Sequence, residues 1–183
     1  MIRKLPTLQT PRLILRPYRL DEAAIVSLLA NDKDIATNTE NLPYPYEEYM
    51  AYNWISHHED MFLRGDLLNL AVCLRKTNEV IGAIGFDLDL KNDNAELGYW
   101  LGRPFWGKGY ATEAARRMLH YGFTELNFHR IHSCHLSLNP ASGHVLEKIG
   151  MKHEGHLKEH LKKWDNYEDV EKFAILKSDY DKM

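Results

Sequence analysis

The chain has 183 residues, of which 44% are apolar, 27% charged and 11% aromatic. That length suits one domain, residues 1–183, with enough buried surface to fold without disulfide or metal staples. The balance of 23 basic and 26 acidic residues leaves −3, which argues against binding nucleic acid through a basic patch.

Cys73 and Cys134 are too few for a disulfide framework or a cysteine-rich zinc site, and both lie in apolar, strand-like runs. They read as reduced structural cysteines. Met1 to Leu8 lacks the apolar stretch of a signal peptide, and no apolar run approaches the roughly 20 residues that span a bilayer. The expectation is a cytoplasmic protein with no membrane partner.

Arg12 to Arg16, bounded by Pro11 and Pro17, reads as a short strand. A helix follows from Asp21, its N-cap, with Ala24, Ile25, Leu28 and Leu29 at helical spacing. The proline pair in Asn41–Tyr46 ends that helical region, and one further helix is predicted from Glu47 to Leu63, stopping at Gly65. Leu67–Leu74, Val80–Leu88 and Ala95–Leu101 are joined by short polar turns, which predicts an antiparallel meander. Thr112 to Leu126 carries Ala115, Met118, Leu119, Gly122, Phe123 and Leu126 as a helical stripe. A strand from Arg130 to Leu138, a helix from Ser142 to Ile149 and two extended segments, the last Val170–Leu176, complete the chain. The pattern is an α+β (mixed α/β) sheet domain with one βαβ-like crossover.

Arg103 to Thr112 is the segment richest in chemistry. Glycines between a strand and a helix permit close backbone approach, and the first helical N–H groups then face an anion. Gly102–Lys108 nearly makes a P-loop, but Gly109 stands where magnesium binding needs Ser or Thr. Gly107–Thr112 begins a dinucleotide fingerprint, but Thr112 replaces its third glycine. A glycine-rich turn without a ligand is the plain alternative.

Trp106-Gly107-Lys108-Gly109-Tyr110-Ala111 resembles the acetyl-CoA loop Q/R-x-x-G-x-G/A of the GCN5-related N-acetyltransferase (GNAT) family, with Trp in first place. Phe105 to Ala114 is similar to the RimJ/RimL-like branch, the ribosomal-protein N-terminal acetyltransferases. Asn139 to Met151 matches N-x-x-S-x-x-x-L-E-K-x-G-F except for Met151. Thr10–Arg16 and Ala95–Leu101 also look like this branch, so the resemblance covers nearly the whole chain.

The resemblance implies the GNAT acyl-CoA fold: a twisted, mostly antiparallel sheet with splayed middle strands, flanked by helices. It implies acetyl-CoA as co-substrate, with pantetheine along Tyr99, Trp100 and Leu101 and pyrophosphate on Gly107 to Thr112. Lys108 adds charge there or is solvated, and Asn139 is a turn residue or a cofactor contact. Glu96 is the candidate base, or a structural carboxylate. Ser142 donates to the departing sulfur, caps its helix, or does both; Tyr99 and Tyr110 are further candidate acids. Tyr44, Tyr46 and Trp54 line the acceptor site or pack beneath it. The spacing of His129, His132 and His135 suggests a metal, but period two in a strand sets His132 opposite the other two, so none is expected. The implied reaction is acetyl transfer to a primary amine in a ternary complex, by a monomer or homodimer. A protein N-terminal α-amine is the first acceptor; a polyamine or aminoglycoside, or a non-catalytic CoA sensor, is the alternative.

Overall fold

A computed structural model describes residues 4–183. Eight strands form one sheet: β1 Leu8–Gln9, β2 Leu13–Arg16, β3 Leu67–Leu74, β4 Val80–Asp89, β5 Asn94–Leu101, β6 Arg130–Leu136, β7 Lys152–Lys163 and β8 Asn166–Leu176. Their order is β1-β2-β3-β4-β5-β6-β8-β7, with every pair antiparallel except β5–β6. The β3–β4–β5 meander predicted from the polar turns is present.

The helices are α1 Ala23–Ala30, α2 Lys33–Asn38, α3 Glu48–Ser56, α4 His58–Arg64, α5 Tyr110–Thr124, α6 Pro140–Lys148 and α7 Lys177–Tyr180. Helix α5 buries the stripe read from its spacing, including Ala115, Met118, Leu119, Gly122 and Phe123. It packs close to the sheet at Gly122, where a Cβ would meet Ile131 Cδ1 at 2.7 Å. This larger core contains Phe86 and Phe128, whose rings meet edge-on at 5.8 Å. The opposite face of the sheet is covered by α1 and α3, through Val26, Ala30, Ala51 and Ile55 against Ala71, Cys73 and Val80.

Three expectations for the N-terminal half are corrected. Helix α1 buries Ala23, Val26 and Ala30, while Leu28 is 73% exposed; small residues let the helix lie close to the sheet and turn Leu28 outward, with Leu29 half-buried against Gly102. Asp21 is not a cap, since its carboxylate takes the Arg19 side chain and Glu22 accepts the Arg19 backbone N–H instead. The single helix of residues 47–63 is two, divided at His57, whose ring Nδ1 bonds the Asn53 carbonyl at 2.6 Å. Gly65 ends α4 at φ 82°, a left-handed conformation suited to glycine.

The positioning event for the site lies between β5 and β6. They pair only at Asn94–Arg130, Ala95–Ile131 and Glu96–His132. Beyond Glu96 the strands diverge, and the gap between them becomes a cleft.

Candidate active site

The cleft has a volume of about 890 Å³ and is lined by both diverging strands, the glycine loop, the start of α5, α6 and residues 38–43. Antiparallel pairing decides which groups of β5 reach it. Gly102 N–H bonds the Ile81 carbonyl, so the backbone groups of Gly98 and Trp100 turn to β4 and those of Leu97, Tyr99 and Leu101 to the gap. Two carbonyls in the gap are already engaged: Ser133 Oγ donates to Leu97 at 2.7 Å and Trp106 Nε1 to Leu101 at 2.7 Å. The Tyr99 backbone and the Leu101 N–H remain for an extended ligand. Trp100 is among the lining residues, but its backbone groups turn to β4 rather than to the gap as expected, and its side chain packs on the face covered by α1 and α3.

Gly107 and Gly109 take φ of 71° and 77°. A Cβ at Gly107 would meet nothing within 4 Å and one at Gly109 only Arg12 Nη2 at 3.5 Å, so the backbone conformation, rather than crowding, requires glycine there. Helix α5 starts at Tyr110, which leaves the N–H groups of Tyr110, Ala111 and Thr112 without helical partners at the cleft wall. The loop is braced from outside by Arg12, which donates to the Lys108 carbonyl at 3.0 Å and to Glu113. Lys108 itself stands outside the cleft lining, with Nζ 5.7 Å over the Phe105 ring. A second cavity of about 690 Å³ adjoins the loop and is lined by Arg12, Arg116, Arg117 and Lys148.

Tyr99 and Ser142 meet inside the cleft, the hydroxyls 2.8 Å apart. Burial pushes the Tyr99 phenol up to about 12, although its bond to Ser142 opposes the shift. The N-cap of α6 is Asn139, which accepts from Ser142 N–H at 3.3 Å; Ser142 lies within the helix, so the capping alternative for it is excluded. Asn139 also donates to the Asn38 carbonyl at 3.2 Å, joining the start of α6 to the opposite wall. Lys163 reinforces that wall by donating to the carbonyls of Thr39, Glu40 and Leu42 at 2.6, 3.1 and 3.2 Å. Both the Tyr99–Ser142 pair and the Lys163 clamp were missed in the sequence, since their partners lie 43 and more than 120 residues apart.

At the mouth of the splay, Glu96 accepts from the Cys134 thiol at 3.0 Å, and its second oxygen stands 3.9 Å from His132 Nδ1. Burial and this carboxylate push the Cys134 thiol up to about 12, which keeps it protonated. Asp87 lies directly across from Glu96 on β4 and is raised by burial and by that neighbour. Tyr46 and Trp54 line the cleft; Trp54 is wedged edge-on between Tyr18, at 5.2 Å, and His58, at 4.4 Å. Tyr44 does not line it and is 47% exposed. Among the described residues no group of three or more His, Cys, Asp or Glu side chains could hold a metal ion. His135 bonds the Leu136 carbonyl and stacks near Phe173, away from His132.

The cleft is long, with unpartnered backbone amides at one end and a carboxylate and a hydroxyl pair towards the other. Residues 12–152 match the acetyltransferase (GNAT) domain, and the chain belongs to the GNAT family. It is 34% identical over 175 residues to the uncharacterized N-acetyltransferase p20 of Bacillus licheniformis, covering 95% of this chain and 98% of that one. It is 32% identical over 137 residues to the putative ribosomal N-acetyltransferase YdaF of Bacillus subtilis, covering 74% and 72%. The structure of spermidine N-acetyltransferase from Vibrio cholerae in complex with CoA and spermine superposes with a TM-score of 0.79, at 25% identity over 93% of this chain and 99% of that one. The chain is thus an acetyl-CoA-dependent N-acetyltransferase. No helix among the described residues is long and apolar enough to cross a membrane.

Proposed function

We propose that this enzyme passes acetyl directly to a primary amine bound beside Glu96, with a protein N-terminal α-amine as acceptor. The carrying observation is the splay itself, which sets the Glu96 carboxylate and the Tyr99–Ser142 pair in one cleft with the glycine cradle. When bound, acetyl-CoA supplies an activated thioester whose acetyl group can move without an enzyme-bound intermediate. Tyr99 N–H and C=O and Leu101 N–H hold the pantetheine arm as an added strand would. Tyr110 to Thr112 hold phosphate through backbone N–H, and Arg12, Arg116 and Lys148 add positive charge beside the loop. Glu96 takes the ammonium proton. An α-amine titrates at roughly 7.7–8.0, so a modest base suffices near neutral pH. The Ser142–Tyr99 pair faces the departing sulfur. The protein-acceptor reading draws on the likeness to the RimJ/RimL-like branch and to YdaF.

One observation favours a second acceptor class. The half of the lining away from the glycine loop carries Glu40, Asp87 and Glu96, while its Lys148 lies by the loop. That distribution suits a small cationic amine, and the Vibrio cholerae relative is a spermidine enzyme.

A screen of N-terminal peptides, polyamines and aminoglycosides, read by CoA thiol release, tests the reading. Turnover of peptides with free α-amines and none after N-terminal blocking is expected. Tight acetyl-CoA binding without thiol release for any acceptor would leave a CoA-binding sensor. Glu96→Gln should lower kcat/KM mainly below the acceptor's own pKa; an unaltered pH–rate profile overturns the base assignment.

A further inference from the structure

We propose that Asn69 is a specificity-determining residue for the acceptor, its side-chain amide bonding the backbone of a peptide that reaches it across Gly98 and Gly85. This rests on the protein N-terminal acceptor class and names the groups that would read it.

The sheet register assembles the path. Asn69 pairs with Gly85, and Gly85 with Gly98, so the three form one row across β3, β4 and β5. Side chains alternate along each strand, and Leu68, Phe86 and Leu97 point into the larger core. The Asn69 row therefore faces the side covered by α1 and α3, with Trp100, and all three of its members line the cleft. One flanking row carries Leu67, Asp87 and Glu96; the other carries Ala71, Ala83 and Trp100. Between them a strip of bare backbone leads from the splay, beside Glu96, to Asn69.

The two glycines of the strip differ in what requires them. At Gly85 a Cβ would strike the Leu68 carbonyl at 2.5 Å, so packing demands glycine. At Gly98 a Cβ would meet nothing within 4 Å and φ is not positive, so the fold makes no such demand. A glycine inside a strand weakens it and often marks a close approach of a ligand to the backbone. Gly98 is exposed to the cleft in the middle of the sheet, one row from Glu96, and leaves space there for a chain to lie flat.

Asn69 closes the far end and is only 9% exposed. Its Nδ2 stands 3.4 Å from His58 Nε2, and burial lowers His58 to about 4, so the ring is neutral and offers a lone pair. That orientation turns Oδ1 away from His58 and over the strip, 3.0 Å from where a Gly85 Cβ would stand. Among the described residues no group donates to Oδ1. A nine-tenths buried amide oxygen without a donor is costly until a partner arrives. Neighbouring strands stand about 4.8 Å apart, which puts Asn69 roughly 10 Å from Gly98. An extended peptide covers that distance in about three residues, and its backbone N–H suits Oδ1. The second ammonium of a polyamine would meet one neutral oxygen there, which replaces its lost water poorly.

Alanine peptide amides of one to four residues, given to the full chain with acetyl-CoA, test the path. In the wild type kcat/KM should rise about tenfold between one and three residues and then level off, since one hydrogen bond is worth up to about that factor. Asn69→Leu should remove the rise. Gly98→Val, whose side chain the open space admits, should raise the KM of the three-residue amide about tenfold more than that of the one-residue amide. In both variants the Kd of acetyl-CoA should stay unchanged. A rise in Asn69→Leu equal to that of the wild type overturns the proposal. So does Gly98→Val with an unaltered KM, or with an equal loss for one- and three-residue amides; this variant decides alone if Asn69→Leu fails to fold. Peptide turnover that ignores chain length overturns the path but keeps the acceptor class. Turnover of spermidine and of no peptide marks the acceptor class itself as the failure, and the path falls with it.

Discussion

Removing the Tyr99 hydroxyl separates two roles that its position permits. At about 12, the phenol lies roughly 3.5 pH units above an ordinary thiol near 8.5. Complete proton transfer from Tyr99 to a departing thiolate is therefore uphill by about 5 kcal/mol, at about 1.36 kcal/mol per unit. The favourable role is a hydrogen bond to the charge that develops on sulfur, worth about 1.5–3 kcal/mol. Tyr99→Phe should thus lower kcat by roughly 10- to 150-fold while the KM for acetyl-CoA changes little. The ring stays packed against the core, so stability should fall only by the lost bond to Ser142, about 1 kcal/mol or roughly 2–4 °C in Tm. The assay is CoA thiol release at saturating acceptor, with Tm measured on the same samples. Because the Tyr99 hydroxyl meets Ser142 Oγ as well as the Ser142 carbonyl, and the two changes share the Oγ bond, Tyr99→Phe/Ser142→Ala should cost less than the two single changes together. A kcat within twofold of wild type, alongside a lowered Tm, would reduce the hydroxyl to a strut. A loss far beyond 150-fold would refute the ranking, since only full proton donation could account for it.

Gly109→Ala forces a side chain into φ 77°, at about 1–2 kcal/mol, so Tm should drop by roughly 2–8 °C; Kd for acetyl-CoA by calorimetry should rise at least about tenfold as the cradle's N–H groups shift. Lys163→Met leaves three carbonyls without their donor, which should cost about 1–3 kcal/mol and raise the acceptor's KM while leaving the Kd of acetyl-CoA unchanged. Burial would raise the Glu113 carboxyl, but hydrogen bonds from Thr10 and Arg12 outweigh it and hold the group below 4.5. Its contribution is present above that value and is lost as pH falls, so Glu113→Gln should flatten the decline of Tm below about pH 4.5.

Local rules made much of the chain readable. The meander follows from apolar runs cut by polar turns, α5 from its 3.6-residue stripe, and the cradle from glycines at the strand–helix junction. Helix α1 misled because both of its faces are apolar; the choice between Leu28 and Ala30 depends on how near the sheet lies, which its own sequence does not encode. Trp100 misled for a similar reason. Adjacent residues of a strand offer backbone to opposite neighbours, and only the Gly102–Ile81 bond decides which of them faces the gap. Tyr44 sits two residues from Tyr46 on the same loop, yet one is exposed and the other buried against α1 and α3. The residue types that line the cleft were legible. Their partners were not, because Ser142, Cys134 and Lys163 arrive from distant elements that only the finished sheet brings together.

The same distinction explains why a net charge of −3 is no obstacle to an anionic cofactor. Net charge averages over the surface, whereas binding depends on where the charges stand. Here Arg12, Arg116 and Lys148, with Glu113 paired to Arg12 among them, line the cavity beside the glycine loop, and Glu40, Asp87 and Glu96 line the cleft away from it. The fold converts an almost neutral composition into a polarised cleft, one end suited to phosphate and the other, on the proposed function, to a cationic amine. Carboxylates at the amine end also favour the ammonium form of the acceptor, which must be deprotonated before it reacts. The features that would recruit the acceptor therefore make proton removal more demanding. If Glu96 is the base, as proposed, it then has a task that an uncharged site would not impose.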